Sequence, residues 1–133
     1  MKPVRTPAQP ARLAHDYLKT ALPDLTADQF TSGLGLPSAW TPKSKPHVGI
    51  FDDGGVASWP VSTRPVLRVT VWSDGETKSR TLAGLCLGAL LAHPIPGIAN
   101  VREPSSILDA RDSHNGGLMA SFTVRTSVRT LPI

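Results

Sequence analysis

The sequence predicts an α+β fold, a mostly antiparallel sheet of about four to five strands covered on one face by two helices. Three observations lead there. Apolar residues switch along the chain from helical spacing to strict alternation. Thirteen prolines and 11 glycines, roughly one residue in five, exclude long uninterrupted helices. The last third alternates from Leu118 to Thr130 behind an Asn-Gly turn. The 133 residues fit one domain, at about 100–200 residues each. The predicted organisation is an extended N-terminal arm over 1–10 and a single α+β domain over 11–133.

Pro3, Pro7 and Pro10 make the arm, because proline lacks the amide donor that regular pairing needs. A first helix follows over Ala11–Leu22. Leu13, Ala14, Tyr17, Leu18, Ala21 and Leu22 share one side, Arg12, Asp16 and Lys19 take the other, and Pro23 is the stop. Residues 24–46 read as a long connection with at most a helical turn near Ala27–Phe30. A loop of this length is usually functional or covered by a partner. Val48–Phe51 is a short strand, and Asp52-Asp53-Gly54-Gly55 a tight turn, since Asp and Gly tolerate positive φ. Pro60 and Pro65 argue against an inner strand over most of 56–65. Val66–Trp72 is a clearer strand, with Leu67, Val69 and Val71 facing one way. A second helix runs from about Gly75 to Ala92, capped by Ser73 or Asp74 and stopped by Pro94 and the Pro96-Gly97 turn. Ile98–Arg102 is a further strand, and Ser106–Arg111 is another or its continuation past Pro104. After the turn His114–Gly117, the closing strand places Leu118, Ala120, Phe122, Val124, Thr126 and Val128 on one face. Met119, Ser121, Thr123, Arg125, Ser127 and Arg129 lie on the other.

The chemistry these residues can support is limited. One cysteine, Cys86, excludes an intramolecular disulfide framework and any multi-cysteine zinc site. Its helical neighbours Leu82, Leu85, Ala89 and Leu90 make it a small buried hydrophobe, not a nucleophile. His15, His47, His93 and His114 have no metal-ligand spacing, and His93 fits the end of a helix, where positive charge complements the dipole. Asp52 and Asp53 belong to a turn. Gly33-Leu34-Gly35 is no dinucleotide fingerprint, and no phosphate-binding loop is present. The expectation is no catalytic residue, no cofactor and no metal. The longest nearly apolar run, Leu82–Ala92, is too short for a membrane span of about 20 residues. With no apolar stretch behind Lys2 and Arg5, a soluble intracellular chain is expected.

Two surfaces carry more information. The second helix is apolar on both sides, with Ala83, Leu87 and Leu91 opposite the Leu82–Leu90 face, and Gly84 and Gly88 form a smooth strip for close approach. Its second cover is either the first helix or a neighbouring subunit, which makes Gly84, Gly88, Leu87 and Leu91 candidate interface residues. The sheet face with Arg68, Arg125 and Arg129 is basic, in keeping with a net charge of +4. Trp40, Trp59 and Trp72 are not spaced as the stacking platform of a single-strand nucleic-acid binder.

In its element order the chain resembles the tail terminator (tail completion) proteins of long-tailed bacteriophages. The resemblance spans most of the chain. It is carried by Val48-Gly-Ile-Phe-Asp-Asp-Gly-Gly55, by Arg64-Pro-Val-Leu-Arg-Val-Thr-Val-Trp72 leading into the helix Thr77–Leu91, and by the closing Leu118–Arg129 strand. It implies a ring-forming subunit: a homohexamer that caps the tail tube, stops its polymerisation and joins the tail to the head connector. The partners implied are the major tail tube protein, the connector or stopper protein, and viral DNA passing through the lumen without sequence-specific binding. No membrane is involved. The implied location is the virion tail at the head–tail junction, and the host cytoplasm during assembly. Arg125, Ser127 and Arg129 are the candidate lumen-facing residues, the competing arrangement being an outer rim or a neighbour's Asp109 and Asp112. Another head–tail joining protein, or a small basic nucleic-acid-binding module, are the alternatives.

Overall fold

A computed structural model describes residues 4–133. In chain order it contains β1 (Arg5–Thr6), α1 (Pro10–Ala21), a 3-10 turn (Leu22–Asp24), β2 (Thr31–Gly33), β3 (His47–Ser58) and β4 (Ser62–Ser73). There follow α2 (Glu76–Ala92), β5 (Asn100–Arg102), β6 (Leu108–Arg111), β7 (Leu118–Arg129) and β8 (Leu131–Pro132). The class is α+β. The main sheet has six strands in the order β2-β3-β4-β7-β5, with β6 also on β7, and β1 pairs with β8 separately. That exceeds the four to five strands expected, because β2, three residues without alternation, adds parallel to β3.

Three 12-residue strands carry the core. Val48 pairs with Val71 and Ile50 with Val69 across β3–β4. Across β4–β7, Val71 pairs with Ala120, Val69 with Phe122 and Leu67 with Val124. Period-two alternation puts all of these on one face, where α1 contributes Ala14 and Leu18 and α2 contributes Leu82, Ala83, Cys86, Ala89 and Leu90. The expected split of Leu118–Thr130 into two faces is the one seen.

Several local expectations need correction. The hairpin does not turn at Asp52–Gly55. Its register slips by one residue there, from Asp52↔Leu67 to Gly55↔Pro65, so the segment is a bulge inside a longer strand. Gly54 takes φ +79°, and its N–H donates to Asp52 Oδ1 at 2.8 Å. The turn lies at Ser58–Ser62, closed by Val61 N–H on the Ser58 carbonyl at 2.9 Å. Pro65 does sit in an inner strand. The β4–β7 pairs skip from Thr63↔Val128 to Val66↔Arg125, and the Thr126 hydroxyl donates to the Pro65 carbonyl at 2.8 Å.

Pro10, the last arm residue expected, opens α1 at a position where its missing N–H costs nothing. The α-helix ends before Pro23, as expected, and Pro23 sits inside the 3-10 turn that follows. The arm is paired, with Arg5 donating to Thr130 through Nε to Oγ1 at 2.7 Å and Nη2 to the carbonyl at 2.8 Å. Met1–Pro3 lie outside the described residues. Ala27–Phe30 is not helical. The N-cap of α2 is Gly75 rather than Ser73 or Asp74. Ser73 instead hydrogen-bonds Ser79 Oγ at 2.5 Å, and Ser79 donates to the Leu118 carbonyl at 2.7 Å. This pins the first turn of α2 to β4 and β7.

Phe122 is the largest fully buried side chain and sits at mid-sheet beneath the helices. Phe122→Ala is expected to lower unfolding stability by about 3–5 kcal/mol, read by urea denaturation.

Candidate functional site

The outer surface of α2 is the first candidate. Gly84, Leu87, Gly88 and Leu91 fall along one outward stripe at helical spacing. Leu91 is 43% exposed, Gly88 is exposed, and Gly84 and Leu87 are half-buried. The helix is therefore not buried all round, as apolarity on both sides suggested. The cover that α1 gives it is marginal to this stripe, the Tyr17 hydroxyl donating to the Ala89 carbonyl at 3.0 Å. A Cβ built on Gly88 meets no atom within 4 Å, and one on Gly84 meets only Ile107 Cδ1 at 4.0 Å. The close approach that this glycine pair allows is thus not used among the described residues. Beside the stripe, α1 and α2 enclose an apolar cleft of about 410 Å³ walled by Tyr17, Leu25, Gly84, Leu85, Gly88 and Ala89.

The uncovered sheet face is the second. Arg125, Ser127 and Arg129 lie on it with Arg68, as the alternation requires, but its charge is moderated by acids of the same chain. Arg125 Nε lies 2.9 Å from Glu103 Oε2, and Arg68 Nε lies 3.1 Å from Asp53 while its guanidinium covers the Phe51 ring at 4.3 Å. Arg102 on β5 donates to Ser127 Oγ at 2.9 Å. Asp109 and Asp112, weighed as a neighbour's partners for this face, are engaged within the chain. Asp109 pairs with Arg80 at 3.1 Å. Asp112 accepts from Trp72 Nε1 at 3.1 Å and from the His114 amide at 2.9 Å, which holds its carboxyl below the ordinary range.

The long connection caps the β3 end of this same face. Trp40 is buried against Gly117, donates Nε1–H to the Lys45 carbonyl at 2.9 Å, and would collide with any side chain at 117. His47 anchors the connection. Its Nε2–H donates to the Gly35 carbonyl at 2.6 Å, Nδ1 accepts from Thr31 at 2.7 Å, and its ring lies against Trp72. Sequence reasoning missed this Trp40–His47–Trp72 assembly. It also missed the exposed turn residues Trp59 and Val61, 52% and 68% exposed, although two large apolar residues beside Pro60 were a readable signal.

Cys86 is buried, and burial pushes its thiol up to about 12, so it is not a nucleophile at neutral pH. Among the described residues no cluster of His, Cys, Asp and Glu could hold a metal, and no helix is long and apolar enough to cross a membrane. Neither a protein-family model nor a curated protein matches the chain.

Burial holds the His47 imidazole below its ordinary 6.5, outweighing the Gly35 carbonyl, with a smaller lowering from His15. The unfolded chain therefore binds a proton that the native state refuses. The neutral-ring contribution to stability is complete above about pH 6.5 and declines as pH falls from there toward the lowered folded value. Urea midpoints measured from pH 8 to pH 5 are expected to fall more steeply for the wild type than for His47→Gln.

Proposed function

We propose that this chain is a structural, non-enzymatic subunit of a bacteriophage tail, a tail terminator. It forms a hexameric ring that caps the tail tube, halts its growth and joins it to the head connector. The observation that carries the reading is the outward apolar stripe of α2, with Gly84 and Gly88 unused and Leu91 exposed. A monomer gains nothing by leaving such a surface in water, whereas an assembling subunit buries it. The resemblance in element order supplies the particular assembly. Its partners in this reading are further copies of itself, the tube protein, the connector and the DNA in transit. Its place is the virion, reached from the host cytoplasm.

The moderated basic face fits a DNA passage. Each phosphate neutralised by a bare arginine adds counterion-release affinity, which would hold DNA in a channel that must let it slide. Glu103 beside Arg125 reduces that affinity, and Arg125, Ser127 and Arg129 are placed on the lumen wall in this reading. The same neutralisation weighs against the alternative of a basic nucleic-acid-binding module.

Sedimentation velocity with electron micrographs of the purified protein tests the proposal. The expected result is a ring with six times the chain mass of 14.1 kDa. A monomer at all concentrations, with salt-dependent affinity for DNA, would overturn it. In a structure of the ring, Arg125 and Arg129 are expected to face the axis, and finding both on the outer perimeter would end the lumen assignment.

A further inference from the structure

The exposed apolar side chains are not scattered. Of the ten exposed large hydrophobics among the described residues, six are Val4, Val56, Trp59, Val61, Leu131 and Ile133. The strand registers bring these to one end of the molecule. Val61 accepts the Thr130 amide at 3.1 Å, which sets Leu131 beside the β3–β4 turn. Arg5 pairs with Pro132, which sets Val4 alongside Ile133. The Ser58–Ser62 turn closes this end of the sheet, with β7 paired to β4 up to Ser62↔Arg129, and leaves Trp59 and Val61 exposed at its edge. Leu25 and Leu91, two others of the ten, flank the α1–α2 cleft or lie on the helix that walls it. The chain thus presents one exposed apolar turn and one apolar hollow on different surfaces.

We propose that the β3–β4 turn of one copy seats in the α1–α2 cleft of the next, with the Trp59 indole as the inserted group. This deepens, and rests on, the reading of the chain as a ring subunit. The occupant is a second copy for three reasons. The cleft, at about 410 Å³, has room for an indole over a floor that lacks side chains at Gly84 and Gly88. Tryptophan is among the residue types most enriched at the desolvated centres of interfaces. The charges also match. Asp24 on the cleft wall and exposed Arg64 near the turn make no ion pair among the described residues, so Asp24 is available to meet Arg64 of the incoming copy. Because turn and hollow are different surfaces, the contact is head-to-tail, the type that closes into rings when the rotation permits.

Two substitutions act on opposite sides of this contact. Trp59→Ala removes the inserted group, and Gly88→Trp fills the hollow from a position where an added Cβ meets no other side chain within 4 Å. Sedimentation across a concentration series is expected to raise the half-assembly concentration by about 30-fold or more for each variant, with far-ultraviolet circular dichroism unchanged. The double variant Trp59→Cys with Gly88→Cys is expected to form, on mild oxidation, disulfide-linked multimers that neither single variant builds beyond a dimer. Native Cys86 is buried and does not compete. A wild type that assembles, with both substitutions harmless or the cysteine pair failing to cross-link, would overturn this contact and leave the ring standing. A wild type that stays monomeric would overturn the ring reading and this contact together. Should Gly88→Trp fail to fold, the cysteine pair decides.

Discussion

One constraint organises this molecule. Its main sheet has two faces and only two helices, and both helices lie on the same face. The strands β3, β4 and β7 put Val48, Ile50, Leu67, Val69, Val71, Ala120, Phe122 and Val124 under α1 and α2. Everything on the other face must be satisfied without a helical layer. Thr70 and Ser121 do so by a hydrogen bond at 2.7 Å, Phe51 lies under Arg68, and the Trp40 connection closes over the end with Gly49, Gly117 and Trp72. No buried side-chain nitrogen or oxygen among the described residues is left without a partner. The polar face is therefore finished, even though it has no second layer.

The helical layer is less complete. One layer of two helices covers the sheet but leaves the back of α2 to solvent. A helix with a polar back would suit a monomer. This one carries exposed Gly88 and Leu91 there instead, with half-buried Gly84 and Leu87 at its margin. Glycine in a helix interior costs about 1 kcal/mol relative to alanine, and no contact among the described residues recovers that cost at Gly88. Close contact with another molecule would recover it. This surface, rather than any catalytic group, is what the ring-subunit reading explains.

Elements with a strong period were legible in the sequence, α1 and, most clearly, β7 with its two faces, while α2 was legible from its long apolar run and its proline stop. The unread parts are those where tertiary pairing overrides local signals. Asp52-Asp53-Gly54-Gly55 has ideal turn composition, yet β3 runs through it, because a bulge uses the same positive φ that a turn would. Pro65 is inside β4 because the Thr126 hydroxyl takes over at its carbonyl where the ladder is interrupted. The strand β2 has three residues and no alternation, so only its pairing with β3 defines it. At the candidate sites, sequence gave the residues of the α2 stripe and the basic face but not their surroundings. Glu103 reaches Arg125 from the irregular segment after β5, at a φ of +52° that no sequence pattern announced.

Hydroxyl-radical footprinting of the wild-type chain, above and below its assembly concentration, tests most directly whether the α1–α2 cleft and the β3–β4 turn are assembly surfaces. Assembly is predicted to slow oxidation of Trp59, Val61, Tyr17 and Leu85 together. Leu108, 69% exposed at β6, serves as the reference side chain whose rate stays the same. Unchanged oxidation of Trp59 and Leu85 in an assembled sample would contradict the account.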